Sequence, residues 1–322
     1  MLLFSYFYFA EAELQFPAIM KIAVVGAGAV GAYHGVCLAR AGHEVHFLLR
    51  SDYEIVRERG FEIRDRGNTF TVPVHAYKTP EEIGVCDLVL IALKTTANAQ
   101  FPKLLPPLVG AGTTVLTLQN GLGNVEALGG LFGAENIVGG LCYVTINRLA
   151  PGVIANLGAT RLWLGEGDGG APRERTHALV KMFCEAGLPA EAKTSLEETL
   201  WKKLCWNIPF NGLAIAGGNI ACDALLASPE LVELSWILMR EIQAAARSRG
   251  CEISDDHLQK QFDVTARCGA YLPSSLLDFR AGREVEIESI WGEPLRRGTA
   301  NGVPMPHLET LYLLLKTLSA KN

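Results

Sequence analysis

The sequence predicts an α/β protein in two parts: a doubly wound parallel sheet, then an all-helical C-terminal domain. Three observations predict it. A glycine-rich turn joins a short β-branched run to an apolar-periodic helix near the start. Apolar runs then alternate with helical stretches, and after about residue 190 strand-like runs almost vanish. The 322 residues suit two domains of ordinary size, which we divide as 20–192 and 193–322.

Each element has its own signal. Lys21-Ile-Ala-Val-Val25 reads as the first strand, and it leads into Gly26-Ala-Gly-Ala-Val-Gly31 and a helix to Arg40 that Gly42 stops. Residues 44–49 are a second strand ending at Arg50, and 61–64 with 70–74 suit a small hairpin. Thr79-Pro-Glu-Glu82 reads as a helix start, with a Thr cap, Pro at the first position and Glu at the third. Residues 87–92 and 113–118 are nearly all apolar, as strands covered on both faces must be, and 137–145 adds another. In the second half Ser195-Leu-Glu-Glu198 is a capping box, and Ser228-Pro229 opens a helix that Gly250 ends. Further helices are expected over 255–267, 284–297 and 307–318.

Composition narrows the function. Hydrophobic residues at 49% and charged residues at 20% allow a large core. With 29 basic against 34 acidic side chains and no basic run, nucleic acid is not an expected partner. No uncharged apolar stretch reaches the length of a membrane span. The eight cysteines form neither a CxxC pair nor a zinc-type set, so we read reduced thiols, no metal site and a cytoplasmic location. Residues 1–19 are apolar and aromatic but lack the basic start of a signal peptide. We expect translation to begin at Met20 and the preceding residues to be an unstructured extension.

The chemistry-bearing residues begin with the glycine turn. Gly26 permits the tight turn, Gly28 lets backbone approach a pyrophosphate, and Gly31 lets helix pack on strand, so Gly26, Ala27, Gly28, Ala29, Val30 and Gly31 form a Rossmann-type dinucleotide loop. An NAD-type site carries Asp or Glu at the end of the second strand; here Arg50 stands there, which suits the 2′-phosphate of NADP(H), or else is a solvated strand-end arginine. Lys94 and Gln119-Asn120-Gly121 lie just past strand ends, where such sheets bind ligands, and alternatively are exposed turn residues.

Lys203, Asn207 and Asn211 fall on one stripe of a helix that is otherwise apolar nearly all round. Burying an ammonium and two amides without partners costs roughly 1–3 kcal/mol for each neutral group and more for the charge. Such a stripe is expected to line a wet or ligand-filled cleft, or else to form a structural network. Glu286 sits near the start of an expected helix, where the helix dipole alone would also explain it.

Taken together, the glycine turn, Lys94, Gln119-Asn120-Gly121, Trp201-x-Lys203-x-x-x-Asn207-x-x-x-Asn211 and Ser274-Ser-Leu-Leu-Asp278…Glu286 resemble the ketopantoate reductase (2-dehydropantoate 2-reductase) family, from Met20 to the C-terminus. The resemblance implies NADP(H) as cofactor and a 2-oxoacid as substrate, with the active site between the domains. It implies Lys203 as the catalytic acid, and Glu286 as the residue holding the substrate hydroxyl. Asn207, Asn211 and Ser274 would grip the substrate, Asn120 would orient cofactor and substrate, and Lys94 would assist near the ribose. Glu286 also borders the implied cofactor site, and a second copy of the chain is a candidate partner.

Two places depart from the family pattern. Tyr271-Leu272-Pro273 precedes Ser274 where an Asn or Lys is common, and Ser-Leu-Leu-Asp follows it where Met-Leu-Gln-Asp is common. Both border the implied substrate pocket, which keeps open a reductase of another branched or aromatic 2-oxoacid. A catalytically silent NADP(H)-binding protein is the alternative from a different class. A resemblance to β-hydroxyacid dehydrogenases is weaker, because Leu196 and Thr199 stand where their Gly-x-x-Gly leads into the lysine.

Overall fold

A computed structural model of the chain describes residues 19–320. The expectation for residues 1–19 therefore lies, Ile19 aside, outside the described residues.

The first part is built on strands β1 (Lys21–Val25), β2 (Glu44–Leu48), β3 (Phe61–Asp65), β4 (Asn68–Val72), β5 (His75–Tyr77), β6 (Leu88–Ile91), β7 (Thr114–Thr117), β8 (Ile137–Tyr143), β9 (Ile146–Ala150), β10 (Val153–Asn156), β11 (Arg161–Glu166) and β12 (Ala190–Ala192). Eight of them form one sheet in the order β12-β11-β8-β7-β6-β1-β2-β5. Pairing is parallel from β5 to β8. β11 then runs antiparallel to β8, so the sheet is mixed rather than wholly parallel. β6 and β7 are buried at every residue, which is why they read as unbroken apolar runs. Helices α1 (Ala29–Arg40), α2 (Tyr53–Arg59), α3 (Phe101–Leu104), α4 (Asn124–Phe132) and α5 (Glu174–Glu185) complete this part.

The expected hairpin exists as β3–β4, paired from Phe61↔Val72 to Asp65↔Asn68. It belongs to a second sheet, β4-β3-β10-β9, which the sequence did not suggest. The helix expected at Thr79 is absent. Its capping bonds do form, Glu82 Oε2 accepting from Thr79 N at 2.9 Å and from Thr79 Oγ1 at 3.0 Å. Gly84 at φ +70° then turns the chain away towards β6 after a single turn.

No strand occurs after β12 among the described residues. The helices there are α6 (Leu196–Trp206), α7 (Gly212–Ala216), α8 (Cys222–Leu226), α9 (Pro229–Arg247), α10 (Asp255–Ala266), α11 (Ser274–Arg280), α12 (Glu293–Ala300) and α13 (Pro306–Ser319). Ser195 caps α6 by accepting from Glu198 N, and Ser228 caps α9 by accepting from Leu231 N. The helix expected over 284–297 starts late: the chain is irregular through Glu286 and turns helical from Ile287. α6 and α7 are one rod joined by a π-turn, Asn207–Asn211. Pro209 explains the wide turn, since it has no N–H to give the carbonyl four residues back.

Trp201, Phe210 and Trp291, all fully buried, anchor the helical core. α6 also reaches the sheet. A Cβ on Gly139 would lie 2.2 Å from the Leu196 side chain, and one on Gly165 would lie 2.9 Å from it. Glycines in β8 and β11 thus leave the space in which α6 seats, and that seat positions everything α6 carries.

Candidate active site

The glycine turn has the geometry that a dinucleotide's phosphates require. Gly26 adopts φ +97°, and a Cβ there would strike Leu93 N at 2.3 Å. A Cβ on Gly31 would meet Gly26 O at 2.3 Å, so these two glycines are required by the fold itself. Gly28 differs: a Cβ there meets nothing within 4 Å, and the residue is exposed. Space over Gly28, beside the uncapped N-terminus of α1, is what an approaching pyrophosphate needs. Ala27, Ala29 and Val30 border the same turn and stay partly exposed. The residues present therefore fit a dinucleotide.

Arg50 follows β2 on the same edge of the sheet. It is exposed and makes no ion pair among the described residues. Three strand spacings separate β2 from β7 in the sheet order, about 14 Å in all. Arg50 stands near one end of that edge and Asn120 near the other, a span that would suit an extended dinucleotide.

Lys203 projects from the last turn of α6 into this second end. Its Nζ donates to Asn120 Oδ1 at 2.8 Å and to the Cys142 carbonyl at 2.9 Å. The Tyr143 ring lies 5.8 Å from the ammonium. Burial holds the Lys203 ammonium below the usual lysine range, against smaller upward pulls from Cys142 and Glu286. Asn120 is placed by the turn after β7. There Gln119 Nε2 donates to Leu93 O at 2.9 Å and to Asn98 Oδ1 at 2.8 Å. Gly121, at φ +80°, brings backbone against the helical part: Leu122 N donates to Ser289 O at 2.9 Å, and a Cβ on Gly121 would lie 2.2 Å from that oxygen.

Lys94 builds a second corner. Its Nζ forms a short ion pair with Asp278 and reaches Glu286 Oε2 at 3.5 Å. Glu286 Oε1 also accepts from Thr95 N at 2.8 Å, and Thr95 Oγ1 lies 2.8 Å from Ser289 Oγ. Desolvation would depress Lys94, but Glu286 and Asp278 outweigh it and hold the ammonium above its usual value. Arg283 Nε gives Asp278 a further bond at 3.0 Å.

The stripe is only partly used within the protein. In a regular α-helix positions i and i+8 drift about 80° apart. The π-turn winds more slowly and takes back part of that drift, keeping Asn211 on the same side. Asn211 is buried and its Oδ1 accepts from Ser275 N at 2.9 Å, tying α7 to the start of α11. Asn207 is buried too, yet its carboxamide has no partner among the described residues. Ser274, the first residue of α11, is exposed with its hydroxyl unpaired among the described residues.

The structure thus brings Lys203 to Asn120, Lys94 to Glu286, and Asn211 to the helix that Ser274 opens. Sequence reasoning missed roles for Thr95, Ser289 and the Cys142 carbonyl, and gave Asp278 none. Asp278 had one usable signal, a carboxylate four residues after Ser274 between Leu276-Leu277 and Phe279.

A glycine turn that fits a dinucleotide on a mixed sheet, with a helical part that presents a partly buried lysine, suits an oxidoreductase. The family described as "Ketopantoate reductase PanE/ApbA" matches residues 22–169, and "Ketopantoate reductase PanE/ApbA C terminal" matches 195–319. The chain belongs to the ketopantoate reductase family. It is similar to a 2-dehydropantoate 2-reductase of Nostoc sp., 39% identical, covering 94% of this chain and 96% of that protein. Among solved structures, a 2-dehydropantoate 2-reductase of Geobacter metallireducens is 43% identical with a TM-score of 0.89, covering 92% of this chain and 99% of that one. One from Methylococcus capsulatus is 32% identical with a TM-score of 0.86, covering 93% and 97%. A D-mandelate dehydrogenase solved with NADH shares the fold at 22% identity, with a TM-score of 0.85, covering 94% and 99%. Among the described residues no helix is long and apolar enough to cross a membrane, and all eight cysteines are free.

Proposed function

We propose that the protein reduces 2-dehydropantoate to (R)-pantoate with NADPH, a step towards pantothenate and coenzyme A, and that Lys203 is the general acid. The observation that carries this reading is the Lys203 ammonium, partly buried and held on Asn120 Oδ1 and the Cys142 carbonyl at the sheet edge. An ammonium has three donors, and those two bonds leave one for a substrate oxygen.

When bound, NADPH supplies the hydride to the 2-oxo carbon. Lys203 gives its proton to the keto oxygen, and the charged donor stabilises the developing alkoxide more than the ground-state carbonyl. Its lowered proton affinity eases that transfer near neutral pH. Glu286 keeps lone pairs beyond those engaged by Thr95 and Lys94, and with them accepts from the substrate hydroxyl. Asn207 and Ser274 offer unpaired polar groups to the substrate. Asn211 acts by fixing α11, and Lys94 sets the position of Glu286 near the cofactor ribose. Arg50 binds the 2′-phosphate, for which an exposed guanidinium without a carboxylate partner is suited. The free thiols suit a reducing compartment such as the cytoplasm.

A second substrate reading rests on one observation. The Trp206 ring, three residues past Lys203, stands 6.1 Å from the Tyr271 ring. Aromatic rings so close to the lysine-bearing helix would suit a bulkier branched or aromatic 2-oxoacid. The test is NADPH oxidation by the purified protein with 2-dehydropantoate and a panel of 2-oxoacids, with NADH run beside it. Turnover with 2-dehydropantoate fastest of the panel supports the first reading. No turnover of it above background overturns that reading.

A further inference from the structure

Asp52 lies two residues past Arg50, in the turn where a carboxylate would select the wrong cofactor. In NAD-type sites an acidic side chain at this end of the second strand binds the ribose 2′-hydroxyl and repels a 2′-phosphate. The Asp52 carboxylate is nevertheless turned inward, with its side chain 6% exposed. It forms a bidentate pair with Arg148, from Nε at 2.9 Å and from Nη2 more closely. Gly152 N donates to it at 3.1 Å and Ser51 Oγ at 2.9 Å. Asp52 also stands at the N-cap of α2, yet its side chain makes no capping bond there. A carboxylate that forgoes its own helix for an arginine on another sheet has been redirected by that arginine.

Arg148 is on β9, and Gly152 is in the turn to β10. The edge hairpin of the small sheet therefore delivers both donors. Burial pushes the Asp52 carboxyl up, but the bonds from Arg148, Gly152 and Ser51 prevail and hold it below its usual value, so it stays an anion. Neutralised by Arg148, that anion leaves Arg50 to set the field at the cofactor's 2′ position.

We infer that Arg148 is a positioning residue for cofactor choice: by clamping and neutralising Asp52 it keeps the end of β2 selective for a 2′-phosphorylated dinucleotide. This rests on the NADPH reading above. Removing Arg148 leaves the Asp52 carboxylate without an ionic partner, held only by Gly152 N and Ser51 Oγ, at the end of β2, where its charge repels the phosphate and it can accept from a 2′-hydroxyl.

The test compares kcat/KM with NADPH and with NADH for wild type, R148M, D52N and R148M/D52N, using whichever 2-oxoacid the protein turns over fastest. The wild type should prefer NADPH, and R148M should lower the NADPH/NADH ratio by about tenfold or more, through KM rather than kcat. D52N should keep the wild-type ratio, and R148M/D52N should return to within about threefold of it. Should R148M not fold, R148K keeps the charge but loses the bidentate clamp, and should lower the ratio by about threefold. A wild-type preference for NADPH that R148M or R148K leaves unchanged would overturn the inference, as would a double variant that stays low. A wild type without NADPH preference overturns instead the cofactor reading beneath it.

Discussion

Two lysines both feel Glu286, and their surroundings are otherwise opposite. Lys94, from the sheet, has two carboxylates, Asp278 and Glu286, and its ammonium is held above the usual range. Lys203, from α6, has only neutral acceptors, Asn120 and a carbonyl, and burial pulls its ammonium down. The contrast assigns different work to one residue type. A lysine locked between carboxylates is a poor proton donor and a good tether, whereas one held by dipoles alone can release its proton to a developing alkoxide. The two corners also carry the join between the domains, since both pair a side chain of one with a group of the other.

Replacing each lysine tests that contrast. Lys203→Met should cost about 10²- to 10⁴-fold in kcat/KM, measured as NADPH oxidation, with NADPH affinity by calorimetry close to wild type. Lys94→Met leaves Asp278 with Arg283 alone and Glu286 with only a backbone donor. It should cost about 10- to 100-fold in activity. It should also cost about 1–2 kcal/mol of stability in urea unfolding, below the 3–5 kcal/mol of a fully buried pair because the Lys94 side chain is half exposed. If Lys94→Met were the more damaging to kcat, the assignment of roles would be reversed. Asn120→Asp gives Lys203 a carboxylate, as Lys94 has. The ammonium should rise towards the usual range and kcat should fall by about 3- to 10-fold, with the basic limb of the pH profile moved to higher pH.

Much of this was legible in the sequence because glycine, lysine and asparagine carry their constraints locally. Gly26, Gly28 and Gly31 announce the turn by their spacing between a strand and a helix, and Lys203 betrays itself as a charge on an apolar helix. Contacts that close over long separations were not legible. Asp278 meets Lys94 across 184 residues, and Thr95 meets Ser289 across 194. The Cys142 carbonyl has no residue-type signature, because any residue in β8 supplies one. Asp52 was passed over since nothing near it in the chain reveals Arg148, 96 residues on. At Thr79 the local capping signal was genuine but too short, as Gly84 and the entry to β6 prevailed over helix propagation.

The most direct test of the central claim is the pH dependence of kcat/KM for the reductive reaction in wild type, Lys94→Met and Lys203→Met. A general acid must be protonated, so the rate should hold below its proton affinity and fall as pH rises through it. Because burial lowers Lys203, the wild-type midpoint should lie below 10.5, the ordinary lysine value. That limb should persist in Lys94→Met and vanish from the residual rate of Lys203→Met. A limb that survives loss of Lys203, or that disappears with Lys94 instead, would contradict the account.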